Sequence, residues 1–177
     1  MRRLRGDRRI IITSDYMKSK KEQGAVNKRN GDAAETIAVM AMRRAGFLCV
    51  EPIRTGWIIR RHGLRIVGAV PAEKVSGDIK AIAPGGRAVH CEVKYVPEGN
   101  LVWSLFTRKR KDHQIRFLNE TVGAGGIGLV VWVRSGGQVF LLPWPIAGFK
   151  PGVGLTWREA DGLSQVFEEE VRVMGNF

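Results

Sequence analysis

The chain has 177 residues, 44% of them hydrophobic, enough for one domain with a proper core, with or without an added arm. The longest apolar run, "IGLVVWV", is strand-sized and far from the roughly 18 residues a membrane helix needs. Against 29 Lys and Arg stand 17 Asp and Glu, a formal charge of +12, and a surplus of that size, clustered, is the footprint of a nucleic-acid partner, the plain alternative being a ribosomal-type protein or a solvated basic surface.

Charge and residue usage narrow the class further. Residues 1–30 hold ten basic and three acidic side chains, a second basic run occupies Arg108-Lys109-Arg110-Lys111, and the last 21 residues reverse sign with five acids and two arginines. The start, "MRRLRGDRRIIITSDY", is positive but continues with only three consecutive apolar residues, so no secretory leader is expected. Two isolated cysteines, Cys49 and Cys91, make neither a CxxC pair nor a disulfide framework, which predicts a cytoplasmic setting (host cytoplasm for a viral source). Three scattered histidines, His62, His90 and His113, argue against a zinc site.

In chain order, residues 1–26 read as a basic N-terminal arm, with a short strand at Ile10-Ile11-Ile12, followed by a single domain over 27–177. From Asn30 a helix with little polar surface is predicted through Ala34, Ile37, Ala38, Met40, Ala41, Met42 and Ala45, closed by Gly46. "FLCVEPIR" reads as a strand leading to a loop at Thr55-Gly56, and "WIIRRHGLRIVGAVPAEKVS" as a small hairpin about His62-Gly63. "GDIKAIA" and "AVHCEVKYV" are strands around the turn Pro84-Gly85-Gly86. Asp112 opens a helix carrying Ile115, Leu118 and Val122. "IGLVVWV" and "QVFLLPW" form a second hairpin about Ser135-Gly136-Gly137, and a short helix is expected near Leu163–Val166. The sum is an α/β domain around a central mixed sheet flanked by helices.

Chemistry concentrates near residue 92. In a strand, His90, Glu92 and Lys94 share one face. If Pro84–Gly86 is a three-residue loop, Ala83 faces Arg87, and the same register brings Asp78 opposite Glu92, with Cβ atoms about 5 Å apart. Opposed carboxylates destabilise a sheet unless a cation joins them. Mg²⁺, with Mn²⁺ as a substitute, is commonly held by one or two carboxylates plus waters, and the Val93 carbonyl is a further candidate ligand. A surface hairpin with its charges in water is the plain alternative.

"SGD…EVK", with Asp78, Glu92 and Lys94, resembles the core signature of the PD-(D/E)XK nuclease superfamily, and the chain is most similar there to Holliday-junction resolvases of the archaeal, phage and RecU-type groups. "NGDAAETIAVMAMRRAGFLCVEPIRTG", with Gly31 and Glu35, resembles the family's first helix and strand, and "DHQIRFL…GGIGLVVWV…VFLLP" a RecU-type stretch. The resemblance implies a restriction-endonuclease-like core and a Mg²⁺-dependent endodeoxyribonuclease that nicks four-way junctions symmetrically in DNA recombination and repair. It further implies that Asp78, Glu92 and Glu35 hold the metal and that Lys94 serves the attacking water, with Gln114 a second-tier candidate. His90 is expected to be a hydrogen-bonded neighbour rather than a ligand. One departure stands out: Gly77 precedes the metal aspartate where the superfamily has proline and RecU-type proteins often have threonine, leaving any hydroxyl role to Ser76.

Junction binding is expected to run through Arg2, Arg3, Arg5, Arg8, Arg9, Lys18, Lys20, Lys21 and the run Arg108, Lys109, Arg110, Lys111, with Arg54 and Thr55 beside the site. The implied partners are branched DNA and a second copy of the chain, with no membrane and no small-molecule cofactor. "NLVWSLF" and the Trp132/Trp144 region are candidates for the dimer interface or for the core. The rival functions are another nuclease of the superfamily acting on flaps, forks or duplex sites, and a non-catalytic nucleic-acid-binding protein.

Overall fold

The computed structural model describes residues 20–54, 56–71, 77–107 and 112–175. The expected strand at Ile10–Ile12 and the residues Thr55 and Ser76 lie outside these spans, as do Arg2, Arg3, Arg5, Arg8, Arg9, Lys18 and the run Arg108–Lys111.

Helix α1 runs over Lys20–Arg44. Its core-facing stripe is Ala34, Ala38, Met42 and Ala45, spaced three to four apart and buried. Gly46, at φ 97°, ends it as expected. The Gly46 N–H donates to Arg43 O and the Phe47 N–H to Met42 O, the paired bonds of a Schellman cap. The helix begins well before the expected Asn30. Residues 22–30 are exposed apart from a half-buried Val26, and no apolar periodicity announces them, so helix formers such as Glu22, Gln23 and Lys28 carry this stretch by propensity. The last residues of the expected arm are therefore helical.

A five-stranded sheet forms the centre, in the order β1 (Leu48–Pro52), β4 (Ile79–Ile82), β5 (Ala88–Tyr95), β6 (Ile127–Val133), β7 (Val139–Pro143). The pairs are antiparallel except β5 with β6, which are parallel and joined through α2 (Ser104–Thr107) and α3 (Asp112–Gly123). This is the expected mixed sheet flanked by helices. A separate two-stranded sheet pairs β2 (Trp57–His62) with β3 (Arg65–Pro71), the expected hairpin about His62-Gly63. The second hairpin, β6 to β7, turns through a 3-10 stretch at Ser135–Gly137 as expected.

Two apolar cores sandwich the sheet. One joins α1 to Val89, Cys91, Leu129, Val131 and Leu141; the other joins α2 and α3 to Val130, Trp132, Phe140 and Leu142. Strand β6 is buried at every residue, as the middle of such a sandwich requires. Gly128 eases the α3 side: a Cβ there would meet Trp144 Cβ at 3.1 Å and Leu118 O at 3.2 Å, and the helix would have to give by a few tenths of an ångström.

The C-terminal segment corrects an expectation. It is an 18-residue helix, α4 (Trp157–Met174), rather than a short one near Leu163–Val166. Thr156 caps it in a capping box with Glu159, and Ala160 packs into one core while Phe167 and Val171 pack into the other. Its Ser164 Oγ accepts from the Leu141 N–H at 2.8 Å, covering edge strand β7. Trp132, Trp144, Leu101 and Phe106 are core residues, and Trp103 stacks on Trp144, so the candidate interface region serves mainly to fill the interior. No described helix is long and apolar enough to cross a membrane.

Candidate active site

The turn at Pro84–Gly86 fixes the register at the site. Ala83 N–H donates to Arg87 O at 2.8 Å, and the ladder continues through Ile82 with Ala88 and Ala81 with Val89 to Ile79 with Cys91. One more step would set Asp78 opposite Glu92, the expected pair, but the register ends at Ile79 with Cys91. There the ladder breaks: the Asp78 N–H donates to Cys91 O at 2.7 Å, and the Asp78 carbonyl accepts from Ile53 N–H at 2.8 Å. The slip frees the side chain to reach along the sheet, and Asp78 Oδ2 accepts from the Val93 N–H at 2.7 Å. A charge-assisted bond of this length fixes the carboxylate against the strand that carries Glu92.

Glu92 and Lys94 are both buried, at 1% and 8% exposure. Glu92 Oε1 accepts from the Gly77 N–H at 3.1 Å. Its Oε2 accepts from Gln114 Nε2 at 2.6 Å and from Lys94 Nζ at 3.3 Å, while Lys94 Nζ also donates to Gln114 Oε1 at 2.9 Å. The ammonium lies 4.8 Å from the centre of the Phe106 ring, a cation–π floor. Buried charges are tolerated only when paired and hydrogen-bonded, and this closed triangle satisfies both conditions. Burial pushes the Glu92 carboxyl above its ordinary range; Lys94 pulls it down and Asp78 pushes it up again.

Glu35 approaches from α1. It shares with Asp78, Val93, Lys94 and Gln114 the wall of a cavity of about 160 Å³. Burial raises its carboxyl pKa, and the nearby charges of Asp78 and Asp32 raise it further. The sheet and two helices thus bring together the expected Glu35, Asp78, Glu92, Lys94, Val93 and Gln114. Arg54 is exposed and is not among the residues lining that cavity; it lines a neighbouring pocket with Glu35, Asp32 and Arg43. His90 behaves as expected. Its Nδ1 lies 3.2 Å from Thr121 Oγ1, whose own hydroxyl donates to Phe117 O, so the imidazole is the donor. Burial lowers its pKa.

Hard oxygen donors of this kind suit Mg²⁺. Among the described residues, however, no three His, Cys, Asp or Glu side chains converge into a metal-holding group. The expected set of three carboxylates is not closed, because Glu92 turns both oxygens to Gly77, Lys94 and Gln114. Two carboxylates remain near each other, Asp78 tied to the Val93 N–H and Glu92 tied to Gly77, Lys94 and Gln114.

Two contributors escaped the sequence reading. Gly77 appeared only as a departure from a motif, yet its N–H holds Glu92, and its φ of 86° is open to glycine at little cost. Phe106, in an apolar run, gave no sign of lying beneath Lys94. The chain matches no family model and no curated protein sequence.

Proposed function

We propose that the chain is a divalent-metal-dependent endodeoxyribonuclease that resolves four-way DNA junctions, as a homodimer, by paired symmetric nicks. The observation that carries this reading is the seating of Asp78 against the strand bearing Glu92 and Lys94, beside a cavity that Glu35 and Gln114 also line. The +12 charge supports a polyanionic substrate.

Asp78 and Glu92 would hold Mg²⁺, with Glu35 bound to it directly or through water. Once bound, the ion supplies a Lewis acid and lowers the pKa of water. In hydrolysis a water oxygen bonds to phosphorus, the opposite phosphorus–oxygen ester bond breaks, and the departing oxygen takes a proton. Lys94 Nζ carries three N–H donors, two of them committed to Glu92 and Gln114. The third is left to orient the attacking water or a phosphoryl oxygen. Gln114 positions Lys94, and the apolar floor at Phe106 keeps solvent from beneath the ammonium.

The test is cleavage of a synthetic four-way junction, a flap and a linear duplex, each with Mg²⁺ and with EDTA. The expected result is metal-dependent conversion of the junction to nicked duplexes, abolished in Asp78→Asn with binding retained. Equal cutting in EDTA, or full activity of Asp78→Asn, removes the reading. Preferred cutting of the flap or duplex assigns the chain to another nuclease specificity, and binding without cutting makes it a non-catalytic DNA-binding protein.

A further inference from the structure

An exposed aromatic flanked by cations stands on the same side of the sheet as Lys94. Strands β5 and β6 run parallel with Lys94 opposite Trp132, and the chain leaves β6 at Val133 to reach Arg134. Arg134 is therefore one strand over and two residues on from Lys94, a displacement of about 8 Å at normal strand spacing. Its guanidinium lies 5.7 Å from the centre of the buried Trp132 ring and 6.0 Å from that of Trp157. Arg158 lies 5.3 Å from the same Trp157 ring.

Trp157 is 40% exposed, although burial is the usual fate of so large an apolar surface. Among the described residues neither Arg134 nor Arg158 is ion-paired. The acids nearest in the chain are otherwise engaged: Glu159 accepts from the N–H and hydroxyl of Thr156, and Asp161 from Gln165. Arg134 Nε is buried without a hydrogen-bond partner, consistent with a guanidinium placed by its rings rather than by a carboxylate. An exposed indole with two uncompensated arginines, on a chain of charge +12, matches the chemistry by which proteins hold single-stranded nucleic acid: a base on the aromatic face, guanidinium groups on the flanking phosphates.

We propose that Trp157, Arg134 and Arg158 form a stacking platform for an unpaired nucleotide of the DNA strand that leads to the Lys94 cavity. Arg158, itself exposed, swings off the ring to admit the base and meets the adjoining phosphate. Arg134 stays in place, held by Trp132 and by its bond to Gln138 Oε1. The inference rests on the nuclease reading for its substrate but not on catalysis. It places an unpaired nucleotide, which opens more readily at a branch point, where base stacking is interrupted, than within an intact duplex, beside the site.

The test is equilibrium binding in EDTA of a poly-dT strand, a four-way junction and a linear duplex to the full chain. Trp157→Ala should weaken the poly-dT complex about tenfold, the size of one lost base stack, with little change for the duplex, whereas Trp157→Phe should stay within about threefold of wild type. The double variant R134Q/R158Q should lower the salt dependence by about one unit for each phosphate that its arginines no longer neutralise. Thermal unfolding midpoints check that the variants fold. Unchanged poly-dT affinity of a folded Trp157→Ala protein, or no DNA binding by the wild type, overturns the platform; in the first case the exposed indole belongs to a protein contact. Binding with this Trp157 dependence but without cutting keeps the platform and removes the nuclease reading. Junction cutting with Trp157→Ala unchanged in affinity does the reverse.

Discussion

Asp78 Oδ2 accepts from the Val93 N–H at 2.7 Å, so a carboxylate just ahead of β4 is tied to the backbone between Glu92 and Lys94 on β5. Two acids that a regular ladder would set face to face are instead offset by a local slip. Asp78 still raises the pKa of both Glu92 and Glu35, which marks a common pool of negative charge around one small cavity.

That pool predicts metal-linked stability. Added Mg²⁺ should raise the unfolding temperature of the wild type, by an amount equivalent to about 2.7 kcal/mol at a hundredfold excess over Kd. Asp78→Asn keeps an oxygen for the Val93 N–H but loses the charge, so its midpoint should barely respond. Equal upward shifts in both proteins, read by calorimetry, would count against Asp78 as a ligand.

Removing one member of the Glu92–Lys94 pair strands the other in the interior. Lys94→Met should cost about 3 kcal/mol in urea unfolding, since a buried charge loses its partner. The double variant E92Q/K94M should recover much of that loss, because Gln114 and the Gly77 N–H can bond a neutral amide. Strictly additive losses in the cycle would mean that the pair is not coupled.

Glu35 yields a pH dependence. Its folded pKa is raised, so its contribution to stability is present below the ordinary value of 4.5 and is lost as pH rises through the folded value. Glu35→Gln does not ionise and escapes that loss. The midpoint of the variant relative to wild type should therefore climb between pH 4 and pH 7, and Mg²⁺ should narrow the gap at pH 7. A difference that stays flat across this range removes the effect.

Gly77→Ala tests the backbone support of Glu92. A Cβ at φ 86° is strained and would meet Phe117 Cε1 at 3.1 Å. The expected cost is about 1–2 kcal/mol in stability, with nuclease activity falling further as Glu92 loses its tether. A variant with wild-type stability and wild-type cutting would show the Gly77 bond to be idle.

The sequence carried the register because turn chemistry decides it. Pro84-Gly85-Gly86 closes a loop of one length, and the pairing then follows as far as Ile79 with Cys91, one step short of the expected Asp78 with Glu92, where the chain slips. It carried the packed half of α1 for the same kind of reason, since Ala34, Ala38 and Met42 repeat on one face. The first turns of α1 were hidden because their helicity comes from propensity without burial. Helix α4 was hidden by its acidic surface, although Thr156 and Glu159 spell a capping box. The direction of the Glu92 carboxylate was beyond sequence reading altogether. It depends on how α3 docks, and so on Gly128 letting Leu118 approach the sheet, which then delivers Gln114 to Lys94.

The wholly buried strand β6 bears on how the molecule opens. Each of its residues is shielded from solvent, and its neighbours β5 and β7 hydrogen-bond it along both edges. Amide protons there should be the last to exchange with deuterium, at rates set by global unfolding, while the β2–β3 hairpin and the first turns of α1 exchange through small local openings. Strand β5, which carries Glu92 and Lys94, should therefore open late with its neighbour β6, whereas Glu35 arrives on a helix that is largely exposed over 22–30.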